Sequence, residues 1–264
     1  MTSPTDRWDE GGGYDRFMGG WSRLVAASFL DWLQLPDGLA WLDVGCGTGA
    51  LLHTIASRQA PGRLAGVDPS AAFLAAAARG AGSGADLRVG DAEHLPFDPE
   101  QFDAVVSGLV LNFVPDPGAA LATMRAVCRA GSVVAAYVWD YAEGMLFLRH
   151  FWDAASALDP DAAELDEGKR RFPLCRPDAL ASLFRDAGLS SVETAAIDVE
   201  RRFDGFDDYW QPFLAGQGPA GTYLASLAPG RQSQLAAELR THLPVRADGS
   251  IHLTARAWAV RGTR

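Results

Sequence analysis

Two aspartates stand where apolar runs give out, and a glycine-rich turn follows the first. In Trp41-Leu42-Asp43-Val44-Gly45-Cys46-Gly47-Thr48-Gly49-Ala50, a buried-strand pattern carries Asp43 into three glycines spaced two apart, then into an alanine- and leucine-rich segment. Glycine is needed where the backbone takes positive φ or where a ligand lies against it with no Cβ between. The helix start beyond offers backbone N–H groups. This is the chemistry of holding a ligand against bare backbone. Gly45, Gly47 and Ala50 satisfy G-x-G-x-x-G/A, so an NAD(P)-linked oxidoreductase is one reading. Asp43 argues against it. A carboxylate two residues before the first glycine repels a pyrophosphate, yet suits a ligand carrying a sulfonium and an amino group. The second acid, Asp68, ends Arg63-Leu64-Ala65-Gly66-Val67 about 20 residues beyond the loop, where a ribose carboxylate is expected. Its two oxygens can accept from both ribose hydroxyls.

Leu42-Asp43-Val44-Gly45-Cys46-Gly47-Thr48-Gly49 resembles motif I of the class I S-adenosylmethionine (SAM)-dependent methyltransferases, in their small-molecule, UbiE-like form. Three further segments resemble family elements in the right order. The resemblance implies SAM as cofactor and S-adenosylhomocysteine as product, with Asp43, Gly45, Cys46 and Gly47 at the loop and Asp68 and Pro69 at the ribose. Asp91 would accept from the adenine amino group while Ala92 N–H donates to the ring. Ser107 and Gly108 would touch the amino acid portion through backbone carbonyls. Asn112 and Phe113, just beyond, would border the acceptor. The segment before the first strand would fold over the methionine end, bringing Tyr14, Met18 and Trp21, with Arg23 meeting the carboxylate.

The elements that must position these residues read as an α/β fold. Strand patterns over 41–44, 63–68, 86–90, 102–107 and 131–139 alternate with helical ones, which implies a Rossmann-like, doubly wound, mostly parallel sheet with helices on both faces. Strands over 190–199 and 251–260 bring the total to seven, the last resembling the family's final strand. Such sheets bind ligands at the carboxyl ends of their strands, where Asp43, Asp68, Asp91 and Ser107 all fall. Trp21, Leu24, Val25, Ser28 and Trp32 form a helical stripe. His53 is expected to pack, His94 to face solvent, Asp116-Pro117 to open a helix, and Gly188 to end one. Residues 1–13 read as a flexible tail and 14–139 as the SAM-binding core. Residues 140–175 and 203–248 read as insertions forming a helical lid, and 176–202 with 249–264 as the rest of the sheet. Within the insertions, Asp159, Asp161, Glu164, Asp166 and Glu167 read as a solvated helix end, and the Gly/Pro-rich stretch after Phe213 as a loop. Trp139, Phe151, Tyr209 and Trp210 are expected to wall an apolar substrate pocket.

Methyl transfer from a sulfonium is an in-line displacement, for which alignment is the largest contribution. A hydroxyl acceptor also needs a base, and His150, Asp140 and Tyr141 are the candidates. Net charge is 23 − 33 = −10 over 264 residues, which disfavours a nucleic-acid partner. The pairs Arg170-Arg171 and Arg201-Arg202 read as solvated surface. The three cysteines, Cys46, Cys128 and Cys175, lie far apart with no metal-ligand spacing, which suits reduced thiols and a cytoplasmic location. No signal peptide or membrane span is visible. The expectation is a methyltransferase acting on a small, partly apolar molecule at an undetermined O, N or C atom. Its alternatives are a SAM-binding protein that does not transfer methyl (cyclase-like or regulatory) and an enzyme acting on RNA or protein, which the acidic balance and aromatic lid disfavour.

Overall fold

The computed structural model describes residues 15–80, 84–168 and 172–264. Tyr14, the tail before it and the Arg170-Arg171 pair lie outside the described residues. Strands β1 (Ala40–Val44), β2 (Arg63–Asp68), β3 (Ala85–Val89), β4 (Phe102–Gly108), β5 (Cys128–Trp139), β6 (Ser190–Phe203) and β7 (Ile251–Thr263) form one seven-stranded sheet. Its order is β3-β2-β1-β4-β5-β7-β6. The first five pair in parallel, and β7 runs antiparallel to β5. Every residue of β1 is buried, as is all of β2 beyond Arg63. Strands covered on both faces need continuous apolar runs, which is why the patterning was so plain. Chain order reverses between β1 and β4, so their carboxyl ends flank the switch point of the sheet.

The helices are α1 (Gly20–Leu33), α2 (Ala50–Arg58), α3 (Ala71–Gly80), α4 (Pro117–Val127), α5 (Leu146–Leu158), α6 (Pro177–Asp186), α7 (Phe206–Leu214), α8 (Gly218–Ser226) and α9 (Pro229–His242). The α1 stripe is rotated from the expected one. Trp21, Val25, Phe29 and Leu33 are buried, whereas Leu24 is 41% exposed and Trp32 half-buried. Asp116 caps α4 by accepting from Ala119 N–H at 3.0 Å, with Pro117 following at the first helical position. α6 ends before Gly188, whose φ of 79° is the left-handed turn that glycine supplies at no steric cost. The expected Gly/Pro-rich loop is instead partly helix: Pro219 sits in the first turn of α8, where its missing N–H costs nothing.

The chain forms two compact units. The sheet unit comprises Ser22–Trp139, Pro173–Ile197 and Ala257–Arg264. The other comprises, among the described residues, 15–21, 140–168 with Phe172, and Asp198–Arg256. Its boundaries differ from the expected insertions, because residues 15–21 and parts of two long strands join it. An aromatic stack makes its core. Phe147 and Phe151 each stack on Phe213 at 4.6 Å between centroids, and Trp21 lies 6.2 Å from Phe147 and from Phe203. Such rings each bury enough apolar area for about 1.5–3 kcal/mol. Asp166 and Glu167, expected in solvent, are buried here. Asp166 pairs with Arg149, and Glu167 accepts from Trp152 Nε1–H at 2.5 Å.

Candidate cofactor-binding site

The site is assembled at the carboxyl ends of β1, β2 and β4. The turn after β1 is fastened to β2: Gly45 N–H and Cys46 N–H both donate to Val67 O, at 2.8 and 2.9 Å. Gly49 N–H donates to Cys46 O at 2.9 Å, and Gly47 N–H donates to Asp68 Oδ2 at 2.9 Å. The loop's own donors are therefore largely satisfied within the protein. What the glycines supply is shape. Gly45 has φ +74°, and a Cβ there would lie 2.6 Å from Val110 Cγ2. Gly47 has φ +54°, and a Cβ there would enter open space. His53 packs over Gly49 and its Nε2 is 2.7 Å from Ala77 O, a structural tie between α2 and α3.

Asp43 is the electrostatic oddity. It is 1% exposed and neither carboxylate oxygen has a hydrogen-bond partner. Burial pushes its pKa up to about 8, and the Asp68 charge adds to the rise. Leu52 N–H, in the first turn of α2, acts in the opposite direction without reaching hydrogen-bonding geometry. The same burial, with both carboxylates nearby, drives the Cys46 thiol far above its usual range. Asp68 accepts from Gly47 N–H and, at 2.8 Å, from Ser70 N–H. Its pKa is raised by burial, which those two donors partly offset.

Beyond β2, the geometry is looser. Asp91 and Ala92 follow β3, and Asp91 is exposed. Its Oδ1 accepts from Glu93 N–H and His94 N–H at 2.9 and 2.7 Å, an Asx turn that shapes the loop. His94 faces solvent as expected. Pro69 is exposed. Ser107 is buried at the end of β4 and donates to Val44 O at 2.9 Å, joining β4 to the strand that carries Asp43. Gly108 is glycine because a Cβ would stand 2.5 Å from the Tyr137 hydroxyl. Leu109 then adopts φ +64°, a strained conformation for a side-chain-bearing residue, held by its N–H donating to Tyr137 O at 2.8 Å. No sequence pattern announced that strain. Asn112 follows in the 3₁₀ turn Leu111–Phe113, its Nδ2 buried without a partner, while Phe113 is 46% exposed. Trp139 is buried at the end of β5, and Arg23 is exposed on α1.

Several expected site residues belong to the other unit and have structural work there. Trp21 is an aromatic-core residue rather than a cover, and Met18 is buried. Phe151 and Tyr209 are 0% exposed; Tyr209 O–H donates to Phe147 O at 3.0 Å, so they build the core rather than a pocket wall. Trp210 is half-buried and stacks on Phe206 at 5.8 Å. Asp140 accepts Glu143 N–H on Oδ1 and Met145 N–H on its carbonyl, which makes it a turn cap. The Tyr141 ring packs tilted against Phe172. His150 is half-buried, and desolvation lowers its pKa.

A buried carboxylate with no partner, a glycine opening on space and an acid at the neighbouring strand end fit a cationic nucleoside-bearing ligand. Known proteins agree. The methyltransferase-domain family matches residues 42–136. A demethylmenaquinone methyltransferase of Roseiflexus castenholzii is 37% identical over 163 residues, covering 57% of this chain and 68% of the relative. The chain belongs to the class I SAM-dependent methyltransferases. A nocamycin O-methyltransferase of Saccharothrix syringae is 29% identical over 249 residues, covering 86% of the methyltransferase described here and 85% of its own length. The fold is shared with Haemonchus contortus phosphoethanolamine N-methyltransferase 2, solved with S-adenosyl-L-methionine, at TM-score 0.58 and 17% identity, over 96% of this chain and 56% of that one. The methyltransferase is thus an enzyme, and the oxidoreductase reading of its glycine loop falls away. Among the described residues no helix is long and apolar enough to cross a membrane, and no metal-ligand cluster occurs.

Proposed function

We propose that this methyltransferase uses SAM to methylate a hydroxylated, conjugated ring compound of quinol or enol type. The observation that carries the cofactor half is Asp43, a buried carboxylate without a partner beside the glycine loop. When bound, SAM supplies a methyl group activated by its sulfonium. Asp68 would hold the ribose hydroxyls through lone pairs that Gly47 and Ser70 leave available. Asp91 and Ala92 would meet the adenine, and the carbonyls of Ser107 and Gly108 the amino acid end. Asn112 and Phe113 would border the acceptor.

The acceptor half is supported by the two relatives. One is named for demethylmenaquinone and the other for O-methylation of nocamycin, and a quinone in its reduced form carries acidic ring hydroxyls. Deprotonating such a hydroxyl makes either the oxygen or the adjacent ring carbon nucleophilic. Asp140 is committed to its turn, and the Tyr141 ring packs tilted against Phe172. His150, half-buried and with its pKa lowered by desolvation, would be the base. The test is turnover of SAM to S-adenosylhomocysteine with 1,4-dihydroxynaphthalene, simple phenols, cyclic 1,3-diketones and primary amines, with the product located by isotope-labelled methyl. Methylation of the first three groups supports the assignment. Methylation of amines alone overturns it.

A further inference from the structure

We propose that Asp43 is a charge-selecting residue, releasing a proton when the sulfonium-bearing cofactor binds and retaining it when the neutral-sulfur product binds. The inference rests on the reading of the crevice as the SAM site. Its geometry is that of a carboxyl group enclosed on every side. Neither oxygen accepts a hydrogen bond. Its in-register neighbours on β2 and β4 are Gly66 and Val106, which bring no charge. From the end of β2 comes Asp68, a like charge, and from the loop the Cys46 thiol, which the same burial keeps protonated. From α2 comes Leu52 N–H, the one contribution that favours the anion. An anion so placed is unstable unless a positive charge compensates it. In the free protein near pH 7 the group is therefore held mainly as the neutral acid.

A ligand charge needs no contact to alter this. At the effective dielectric of a protein interior, a unit charge within about 8 Å moves an acid by more than one pKa unit. SAM and S-adenosylhomocysteine share their ammonium and carboxylate, so the sulfonium is the charge that differs. On methyl transfer the sulfur would keep the bonding pair and become a neutral thioether, while the acceptor atom would gain the methyl and give up its proton to the base and thence to solvent. Asp43, no longer opposite a sulfonium, takes a proton back from solvent. Cofactor binding is thus favoured as pH rises, and more so than product binding, because the ammonium acts alike in both ligands and the sulfonium in one. With one proton of difference, affinity for SAM over S-adenosylhomocysteine rises by up to about tenfold per pH unit near neutrality.

The experiment is calorimetric titration of the full chain with SAM and with S-adenosylhomocysteine at pH 7, in phosphate and in Tris, whose ionisation enthalpies differ. The expected result is close to one proton more released with SAM than with its product, a difference that vanishes in Asp43→Asn. Equal proton release for the two ligands, or an unchanged difference in Asp43→Asn, overturns the proposal. Failure of both ligands to bind overturns the cofactor reading instead. Should the variant not fold, infrared difference spectra of the unaltered protein decide the matter. A protonated-carboxyl band lost with SAM and kept with S-adenosylhomocysteine supports the assignment, and the same band behaviour with both ligands refutes it.

Discussion

Gly47 donates its backbone N–H to the Asp68 carboxylate at 2.9 Å, tying the glycine loop of β1 to the end of β2. With Ser70 N–H on the other oxygen, the acid is oriented before any ligand arrives. Asp68→Ala removes that tie together with the expected ribose contacts. Hydrogen bonds to a charged acceptor are each worth about 1.5–3 kcal/mol. SAM affinity measured by calorimetry should therefore fall by at least about tenfold, with a lowered melting temperature.

Gly45 and Gly47 both take positive φ but differ in surroundings. Gly45→Ala drives a methyl into Val110, so it should destabilise the fold by more than the roughly 1–2 kcal/mol of backbone strain alone. Gly47→Ala bears the strain without a clash. It should fold with a cost of about 1–2 kcal/mol and lose cofactor affinity out of proportion. Comparing urea midpoints with SAM dissociation constants for the two variants checks this. Equal losses of affinity per unit of stability would contradict the role of Gly47 as a ligand-facing position.

Asp43, raised to about 8, and Glu167, raised to about 7 by burial, both hold protons in the folded state that the unfolded chain gives up near pH 4. The folded form binds more protons between those values, so stability is fully present below about pH 4 and declines as pH rises toward 8. Each group contributes a slope of up to about 1.4 kcal/mol per pH unit. Urea unfolding across this window should show the decline, with Asp43→Asn and Glu167→Gln each flattening it. A profile unmoved by either variant would mean the carboxyls are not buried as described.

Asn112 keeps Nδ2 buried with no acceptor. An unmet donor costs about 1–3 kcal/mol, so Asn112→Leu, similar in size, should leave stability unchanged or raise it. If Asn112 borders the acceptor, the same variant raises the acceptor KM while SAM affinity holds. Thermal melts alongside steady-state kinetics separate the two effects.

Tyr209→Phe removes the hydroxyl that donates to Phe147 O inside the aromatic core. The lost hydrogen bond should cost about 0.5–1.5 kcal/mol in stability, with kcat unchanged for the protein that remains folded. A large loss of kcat without loss of stability would restore Tyr209 to the pocket.

The amino-acid sequence by itself determined the sheet and the candidate cofactor crevice. Buried parallel strands need unbroken apolar runs, and a backbone turning under a ligand needs glycine. Both are local demands that Trp41–Gly49 and Arg63–Asp68 satisfy within a few residues. Tertiary structure alone decided which side chains became site and which became core. Trp21 reads as a cofactor cover and Phe151 and Tyr209 as a pocket wall, but rings brought from α1, α5 and α7 close on one another as a core. Asp166 and Glu167 sit in an acidic, water-loving stretch, yet Arg149 and Trp152 draw them inside. The same holds for Asp43. Its position before the glycines was legible, whereas the loss of every hydrogen-bond partner, and so its hold on a proton, depends on how β2, β4 and α2 enclose it. Hydrogen-bond satisfaction and desolvation depend on neighbours distant in the chain, and no local pattern carries them.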